Sequence, residues 1–544
     1  MARGAITSAE LVDHYIDRIE RLDNAGPELN AIATLNPDAR AQARQLDTER
    51  RTSGPRGPLH GIPVLVKDNY ETRGMTTTAG SILLEGFAPD RDAELVARLR
   101  EAGAVILGKT NMHEFAYGIE TTGSGFGATR NPYDPSRHPG GSSGGTAAGV
   151  AAGFATVGMG SDTCGSIRNP SAHNALVGMR GTQGASSRDG IIPLSSTQDI
   201  GGPLARSVTD LALVLDATVG YDPEDPQTAA SVGNLPDSFL AGLHPGALRG
   251  ARIGIVRDLL RVDPEDEEIA RVFESAAREM EALGASLIPV SIPLLDELVY
   301  ARADGYFVLT YDFKYDLNAY LAARPDAPVR SLAEIVDSGR VHPSIAPYIK
   351  ASQGMDRSNL GTYLDELHKR DRLRTTLLKL MADHDLDVLA YPTIRRKAAP
   401  LGESQQGSNC HLSAISGMPA VTVPAGYTPD GMPAGIELLG PTLERRRTAR
   451  LRLRLRAGDP ASARSGAASL SGPSPSAAGS GTVGRGRDDG GTRGCRRRRR
   501  SSPDQGGCRA DASPGRRGAT DRTGSRPVRS TGSLQVSRRS RRRR

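Results

Sequence analysis

Tryptophan is absent from this 544-residue chain, and aromatic residues of all kinds make up 4% of it. Hydrophobic residues account for 38%, a low share for a globular protein, so part of the chain is expected to bury no core. No apolar run reaches the roughly 18 residues that a membrane helix requires. No signal peptide precedes the first predicted helix, and we therefore expect a cytoplasmic protein that does not associate with membranes.

Cysteine is also scarce. Cys164 and Cys410 stand far apart in the body of the chain, whereas Cys495 and Cys508 lie near its C-terminus. The sequence has no C-x-x-C pair and no Cys/His spacing typical of metal ligands. This pattern argues against a disulfide framework and against a metal centre, and we expect no metal and no other cofactor.

Charge divides the chain into two unlike parts. Residues 441–544 carry 28 Arg, no Lys and 7 acidic residues, whereas residues 1–440 carry 41 basic and 55 acidic residues. The C-terminal part consists mostly of Arg, Ser, Gly, Ala and Pro. Because it has little apolar surface to offset an ordering cost of about 1–2 kcal/mol per residue, we expect a low-complexity tail that does not fold.

The arginine-rich tail has two interpretations. It resembles a nucleic-acid-binding arm, because arginine binds phosphate. It also resembles non-native sequence, such as the wrong reading frame of a GC-rich gene, which favours Arg over Lys. The composition favours the second interpretation, so we do not expect nucleic acid as a partner.

Residues 1–440 alternate helical patterns with short apolar runs. Residues 9–19 and 94–102 have helical spacing, and residues 61–67 and 104–107 are typical of buried strands. This alternation predicts an α/β domain with a mainly parallel sheet covered by helices on both faces. The further predicted helices cover 39–50, 111–117, 146–153, 208–219, 266–283, 300–321 and 358–384, and the further strands cover 154–159, 252–256, 286–290, 387–391, 420–423 and 435–439.

Two short motifs point to other enzyme classes. Residues 103–110 fit the phosphate-loop pattern G-x-x-x-x-G-K-[ST], but a helix precedes Gly103 and a predicted strand fills the interval. Residues 140–144 fit the G-x-S-x-G nucleophile elbow, which requires a strand before the serine. Three prolines in residues 131–139 exclude a central strand there. Neither a nucleotide site nor an α/β-hydrolase elbow is favoured.

Two other segments contain candidate catalytic groups in a suitable structural setting. Lys67 is the last residue of a predicted buried strand, and burial would favour its neutral amine. The alternative is that the Lys67 side chain extends to solvent and pairs with Asp68. Residues 160–168 form a Gly/Ser-rich turn after a strand, where backbone N–H groups lie beside Ser166. Asp162 and Arg168 flank this turn and are expected to brace it as an ion pair.

Taken together, these segments resemble the amidase signature family. The match consists of Gly140-Gly-Ser142-Ser-Gly-Gly145, then Gly160-Ser-Asp-Thr-Cys-Gly-Ser-Ile-Arg168, with Lys67 upstream. Further similarity covers residues 56–69, 178–199 and 409–440. The resemblance therefore spans nearly all of residues 1–440 and implies the amidase-signature fold, with a large mixed, mainly parallel twisted sheet covered by helices.

The resemblance also implies a mechanism and a set of roles. Ser166 is the expected nucleophile that attacks a carboxamide, Ser142 the bridging serine in a cis peptide, and Lys67 the neutral base that accepts the proton. Backbone N–H groups of Thr163, Cys164, Gly165 and Ser166 are the expected oxyanion hole, and the supporting residues are Ser143, Asp162 and Arg168. The family commonly has glycine at the position of Cys164, so a positive φ there would be strained.

Several alternatives stay open. The amidase subunit of a glutamine-dependent tRNA amidotransferase usually carries Ser-Leu-Asp-Gln-Ile-Gly-Pro where this chain has Ser196-Thr-Gln-Asp-Ile-Gly-Gly-Pro203, which favours a stand-alone amidase. A nucleophilic Cys164 lacks an obvious histidine beside it. An inactive amidase scaffold is a further alternative. Residues 112–126 and 306–320 are expected to line the pocket for a small-molecule amide, and the sequence leaves the identity of that amide and the oligomeric state open.

Overall fold

The structure is a computed structural model that describes residue 1 and residues 3–301 and 306–441. Within these residues, eleven strands form one sheet in the order β1-β3-β2-β4-β6-β5-β10-β11-β9-β7-β8. The strands are β1 Ile32–Leu35, β2 Pro63–Lys67, β3 Val105–Thr110, β4 Val157–Asp162, β5 Val177–Arg180, β6 Ile200–Ala205, β7 Arg252–Val256, β8 Ser286–Val290, β9 Val388–Pro392, β10 Ala420–Tyr427 and β11 Pro433–Leu439.

The helices are numbered in chain order. The α-helices are α1 Ser8–Leu22, α2 Ala39–Thr52, α3 Glu94–Glu101, α4 Gly144–Ala151, α5 Arg168–His173, α6 Val208–Thr218, α7 Glu267–Ala282, α8 Phe307–Ala322, α9 Leu332–Ser338, α10 Ala346–Gln353, α11 Leu360–Asp383 and α12 His411–Ser416. Short 3-10 helices cover Ile82–Leu84, Glu114–Ala116, Pro226–Ser231, Leu240–Gly242, Arg257–Leu259, Pro264–Asp266 and Arg357–Asn359, and a π-helix covers Asp296–Tyr300.

The sheet is mixed, as predicted, but parallel pairing does not predominate in it. Strands pair in parallel near both ends of the sheet, where β2 lies between β3 and β4, and β7 between β8 and β9. The other six described pairs are antiparallel and occupy the centre and one edge. The prediction of a mainly parallel sheet was wrong because β1, β5 and β6, which pair antiparallel with their neighbours, were not predicted. The short turn between β10 and β11 also forces antiparallel pairing.

Helices cover both faces of the sheet, and alternate residues of β2 show how. Val64 and Val66 point into a core with α3 and α6, whereas Leu65 points into a second core with α1 and α2. All three side chains are fully buried. A strand that is buried on both faces has a continuous hydrophobic run in its sequence, and residues 61–67 therefore predicted a buried strand correctly.

Local sequence signals placed several elements correctly. Helix α1 begins after Thr7, whose hydroxyl accepts from the Glu10 N–H while the Glu10 carboxylate accepts from the Thr7 N–H. The C-terminal glycine predicted after α3 is confirmed, since Gly103 has φ +82°. The predicted helix at 111–117 was wrong, because Phe115 and Ala116 have positive φ and leave one 3-10 turn.

The predicted tail, residues 441–544, lies outside the described residues except for Pro441. Among the described residues, no helix combines the length and the apolar character needed to span a membrane.

The residues that fit a phosphate-loop pattern form a buried strand. Lys109 lies within β3, is fully buried, and pairs with the carboxylate of Asp68 at 3.2 Å. Its ammonium also donates to the Thr77 hydroxyl at 2.7 Å. The Asp68 carboxylate further accepts from the Thr78 N–H at 3.0 Å. Lys109 is therefore part of a buried ion pair that joins β3 to the segment after β2.

This ion pair yields a stability prediction. Lys109→Met removes the cation and leaves the Asp68 charge buried, which is expected to lower the free energy of unfolding by about 3–5 kcal/mol in urea denaturation. Adding Asp68→Asn, which removes the charge but keeps an oxygen for Thr78, should restore most of that loss. Equal unfolding midpoints for Lys109→Met and the unsubstituted protein would contradict the assignment.

Candidate active site

The lysine predicted as a base lies where parallel strands end. Lys67 is the last residue of β2, and Ser161 lies near the end of β4, its parallel neighbour. The Lys67 ammonium nitrogen lies 2.7 Å from Ser142 Oγ, 2.8 Å from Ser161 Oγ and 3.3 Å from the Ser161 carbonyl oxygen. The structure therefore brings Lys67 and Ser142 into direct contact, although they are 75 residues apart in sequence.

Burial sets the protonation of this lysine. Lys67 is fully enclosed, and the loss of solvent lowers its pKa to about 7. Asp199 and Asp162 oppose this shift from a distance, but neither carboxylate is among the hydrogen-bond partners found for the ammonium. A substantial fraction of Lys67 is therefore uncharged near neutral pH.

Ser142 and Ser143 lie in the glycine-rich segment that leads into α4. The peptide bond between Gly141 and Ser142 is cis, as the resemblance implied. The Ser143 N–H donates to the Ser166 carbonyl oxygen at 3.1 Å, and the Ser143 hydroxyl donates to the Ser161 carbonyl oxygen at 3.2 Å. A Cβ on Gly141 would lie 2.8 Å from the backbone of Ile119, so the close approach there requires glycine.

Ser166 follows the tight turn between β4 and α5. The Asp162 carboxylate shapes this turn by accepting the N–H groups of Gly165 at 2.8 Å and Ile167 at 3.2 Å. Among the described residues, the Ser166 hydroxyl forms no hydrogen bond, and this includes Ser142. The contact between Ser166 and Ser143 is made by the Ser166 backbone carbonyl oxygen.

Four backbone N–H groups were predicted to form an oxyanion hole, and one of them already has an acceptor. The N–H of Gly165 is already used by Asp162, whereas those of Thr163, Cys164 and Ser166 have no acceptor within the part of the chain that the structure describes. Gly165 itself carries the positive φ, +85°, and Cys164 does not. The strain anticipated for Cys164 is therefore absent.

A buried network of ion pairs stabilises the turn between β4 and α5. Asp162 pairs with Arg168 at 3.0 Å, as predicted, and also with Arg180 at 3.2 Å, while Arg168 extends to Glu437 on β11. Burial alone would raise the pKa of Asp162, but the two guanidinium groups hold it well below its usual range. Sequence reasoning missed Arg180 and Glu437, although a charged residue inside the apolar run of β11 was a usable signal.

The expectation about the cysteines was wrong at one point. Cys164 and Cys410 form a disulfide, with Cα atoms 5.1 Å apart, although 246 residues separate them in the sequence. The two elements that carry them, the turn before Ser166 and the start of α12, meet in the folded chain. His411 completes a group of metal-type side chains with these two cysteines, but the sulfur atoms are bonded to each other.

The two segments predicted to line a pocket contact each other and lie near Gly141. Within residues 112–126, Glu120 is partly exposed beside Gly141, and its carboxylate accepts the Gln405 N–H at 3.0 Å. The Tyr117 hydroxyl contacts Thr310 of α8 at 3.3 Å, which joins the second predicted wall segment to the first. Glu120 therefore lies beside Gly141, the residue that precedes the predicted bridging serine Ser142.

Comparison with known proteins supports the resemblance. The family model described as Amidase matches residues 10–448. A glutamyl-tRNA(Gln) amidotransferase subunit from Geobacter sp. strain M21 is 37% identical over 456 residues, covering 80% of this chain and 90% of that protein.

Solved structures give the same result. The native peptide amidase of Stenotrophomonas maltophilia has a TM-score of 0.75 and 38% identity, covering 83% of this chain and 92% of that one. The corresponding glutamyl-tRNA(Gln) amidotransferase subunit of Thermotoga maritima has a TM-score of 0.63 and 27% identity, covering 83% of this chain and 91% of that one. The sheet, the Lys67–Ser142 contact and these similarities agree, and the chain belongs to the amidase family.

Proposed function

We propose that this protein hydrolyses a carboxamide to a carboxylate and ammonia or an amine, through an acyl-enzyme on Ser166. The observation that carries the proposal is the contact between the buried Lys67 amine and Ser142 Oγ at 2.7 Å. A serine hydroxyl is a weak nucleophile until a positioned base takes its proton, and an amine whose pKa is about 7 suits that role.

The proposed reaction has two halves. Ser166 Oγ attacks the amide carbonyl while its proton passes to Ser142 Oγ and the Ser142 proton passes to Lys67 Nζ. The proton then returns by the same route to the leaving nitrogen, which departs as ammonia or an amine. Water hydrolyses the ester on Ser166 through the same relay. The mechanism requires the Ser166 and Ser142 hydroxyls to come within hydrogen-bond reach when substrate binds, because catalytic contacts are often longer without substrate.

The negative charge on the tetrahedral intermediate needs donors that are not already used. We assign this role to the N–H groups of Thr163, Cys164 and Ser166, since Gly165 donates to Asp162. Each donor of this kind contributes about 2.7–4 kcal/mol to transition-state stabilisation. Asp162 and Arg168 support the reaction by holding the turn.

A second candidate function is the amidase subunit of a tRNA amidotransferase, because a relative named as a subunit of such an enzyme is 37% identical to this chain. The segment that differs from that subunit's usual pattern braces the nucleophile turn here. Gln198 donates to the Thr163 carbonyl oxygen at 3.3 Å, and Asp199 accepts from the Thr163 hydroxyl. The departure from that subunit's usual sequence pattern and the similarity to peptide amidase favour a stand-alone amidase.

Ammonia release distinguishes the two functions. A stand-alone amidase releases ammonia from aliphatic, aromatic or peptide amides without a partner, and Ser166→Ala serves as the blank. An amidotransferase subunit releases it from glutamine only after partner subunits are added. Activity that persists in Ser166→Ala would overturn the proposed nucleophile.

Substitutions in the relay should separate catalysis from stability. We expect Ser166→Ala and Lys67→Met each to lower kcat by about 10⁴-fold or more. Lys67→Met should not lower the melting temperature, because burying a lysine without an adjacent carboxylate is unfavourable and a methionine side chain has a similar volume. Ser171→Ala is the matched control, since this buried serine donates to the Ile167 carbonyl oxygen on the same helix and should leave kcat unchanged.

The lowered pKa of Lys67 predicts a pH profile. Below about pH 7 the amine becomes protonated and cannot accept the proton, so kcat/KM should fall about tenfold per pH unit between about pH 6 and 5. Above that range the neutral amine predominates and this limb reaches a plateau. A profile that stays flat from about pH 5 to 8 would rule out Lys67 as the base.

A further inference from the structure

The turn that carries Ser166 is fastened to the segment before α12. Three contacts join them: the Cys164–Cys410 disulfide, a hydrogen bond from Asn169 Nδ2 to Ser408 Oγ at 3.0 Å, and one from Arg168 Nη2 to the Cys410 carbonyl oxygen at 3.3 Å. The disulfide is the covalent member of this set, and Cys164 stands two residues before the proposed nucleophile.

The packing around the disulfide is tight. Cys410 is 1% exposed and Cys164 is 8% exposed, and both contact the buried Ala414. A Cβ added to Gly165 would lie 2.9 Å from Cys410 Cβ, so the backbone of the turn lies directly on this cysteine. Of the two cysteines, Cys164 is the more exposed.

From these contacts we propose that the Cys164–Cys410 disulfide is a redox-sensitive positioning device for the oxyanion turn. The inference rests on the proposed function, because Cys164 N–H is one of the donors assigned above. Two thiols cannot remain at the bonding distance of a disulfide. In a packed site, their separation displaces Cys164 and misaligns its N–H relative to the oxyanion.

The rest of the turn keeps its place when the bond opens. Asp162 still accepts the N–H groups of Gly165 and Ile167, and Arg168 still pairs with Asp162. Reduction is therefore expected to act on the transition state and not to unfold the domain. An interaction made only in the transition state changes kcat with little change in KM.

The redox step is balanced by a dithiol. Dithiothreitol supplies two electrons and two protons, the sulfur–sulfur bond breaks, Cys164 and Cys410 become thiols, and the reductant closes into its cyclic disulfide. Oxidised glutathione reverses the step, reforming the bond and leaving two molecules of reduced glutathione. Activity would then follow the redox poise of the compartment, low where thiols are kept reduced and high where disulfides persist.

The test uses the full chain with Cys495→Ser and Cys508→Ser, so that thiol chemistry is confined to Cys164 and Cys410. Peptide mass spectrometry with alkylation measures the fraction of the disulfide, and amide hydrolysis measures kcat and KM at each fraction. We expect dithiothreitol to lower kcat by about 10- to 100-fold with KM changed much less, and oxidised glutathione to restore it.

The matched control is Cys410→Ala in the same background. It should have the low kcat of the reduced protein and no response to dithiothreitol. Free thiols in protein handled without reductant, an unchanged kcat after complete reduction, or a response that persists in Cys410→Ala would each overturn the inference. Ser166→Ala in the oxidised background separates the two proposals, because activity remaining there contradicts the nucleophile whatever the thiols do.

Discussion

The candidate active site depends on one contact, in which the buried Lys67 amine lies 2.7 Å from Ser142 Oγ with no carboxylate among its hydrogen-bond partners in the described residues. Lys67 lies at the end of β2 with three serine oxygens around it, so burial lowers its pKa without an adjacent charge to restore it. Burial also lowers the pKa of Lys109, one strand away, but there the Asp68 carboxylate lies 3.2 Å from the ammonium and opposes the shift. The two buried lysines of this sheet therefore differ in whether a carboxylate is adjacent.

Buried ion pairs lie beside the turn that carries Ser166 and do not include Lys67. Asp162, Arg168, Arg180 and Glu437 form a buried chain that ends on β11. This arrangement uses the central antiparallel strands, which bring β5 and β11 to the site. Removing one member would leave an uncompensated charge, so the turn geometry and the stability of the sheet are coupled.

Much of the site was predictable from sequence because its parts are local. The strand before Lys67, the glycine-rich segment at Ser142 and the turn at Ser166 each have a pattern within about ten residues. The strand β5 was not predicted because it has only four residues, and β6 because two glycines and a proline interrupt its apolar pattern. The predicted helix at residues 111–117 was wrong for a different reason: the Phe115 N–H donates to the distant Ala79 carbonyl oxygen, and Phe115 and Ala116 have positive φ.

The sequence by itself determined the family, the α/β class and the identity of the lysine and serines, since these depend on residue types in short motifs. Only the tertiary structure decided which groups meet. It placed Cys164 against Cys410, 246 residues away, and Arg168 against Glu437, 269 residues away. Contacts between residues hundreds of positions apart depend on how the sheet is ordered, and no local pattern encodes that order.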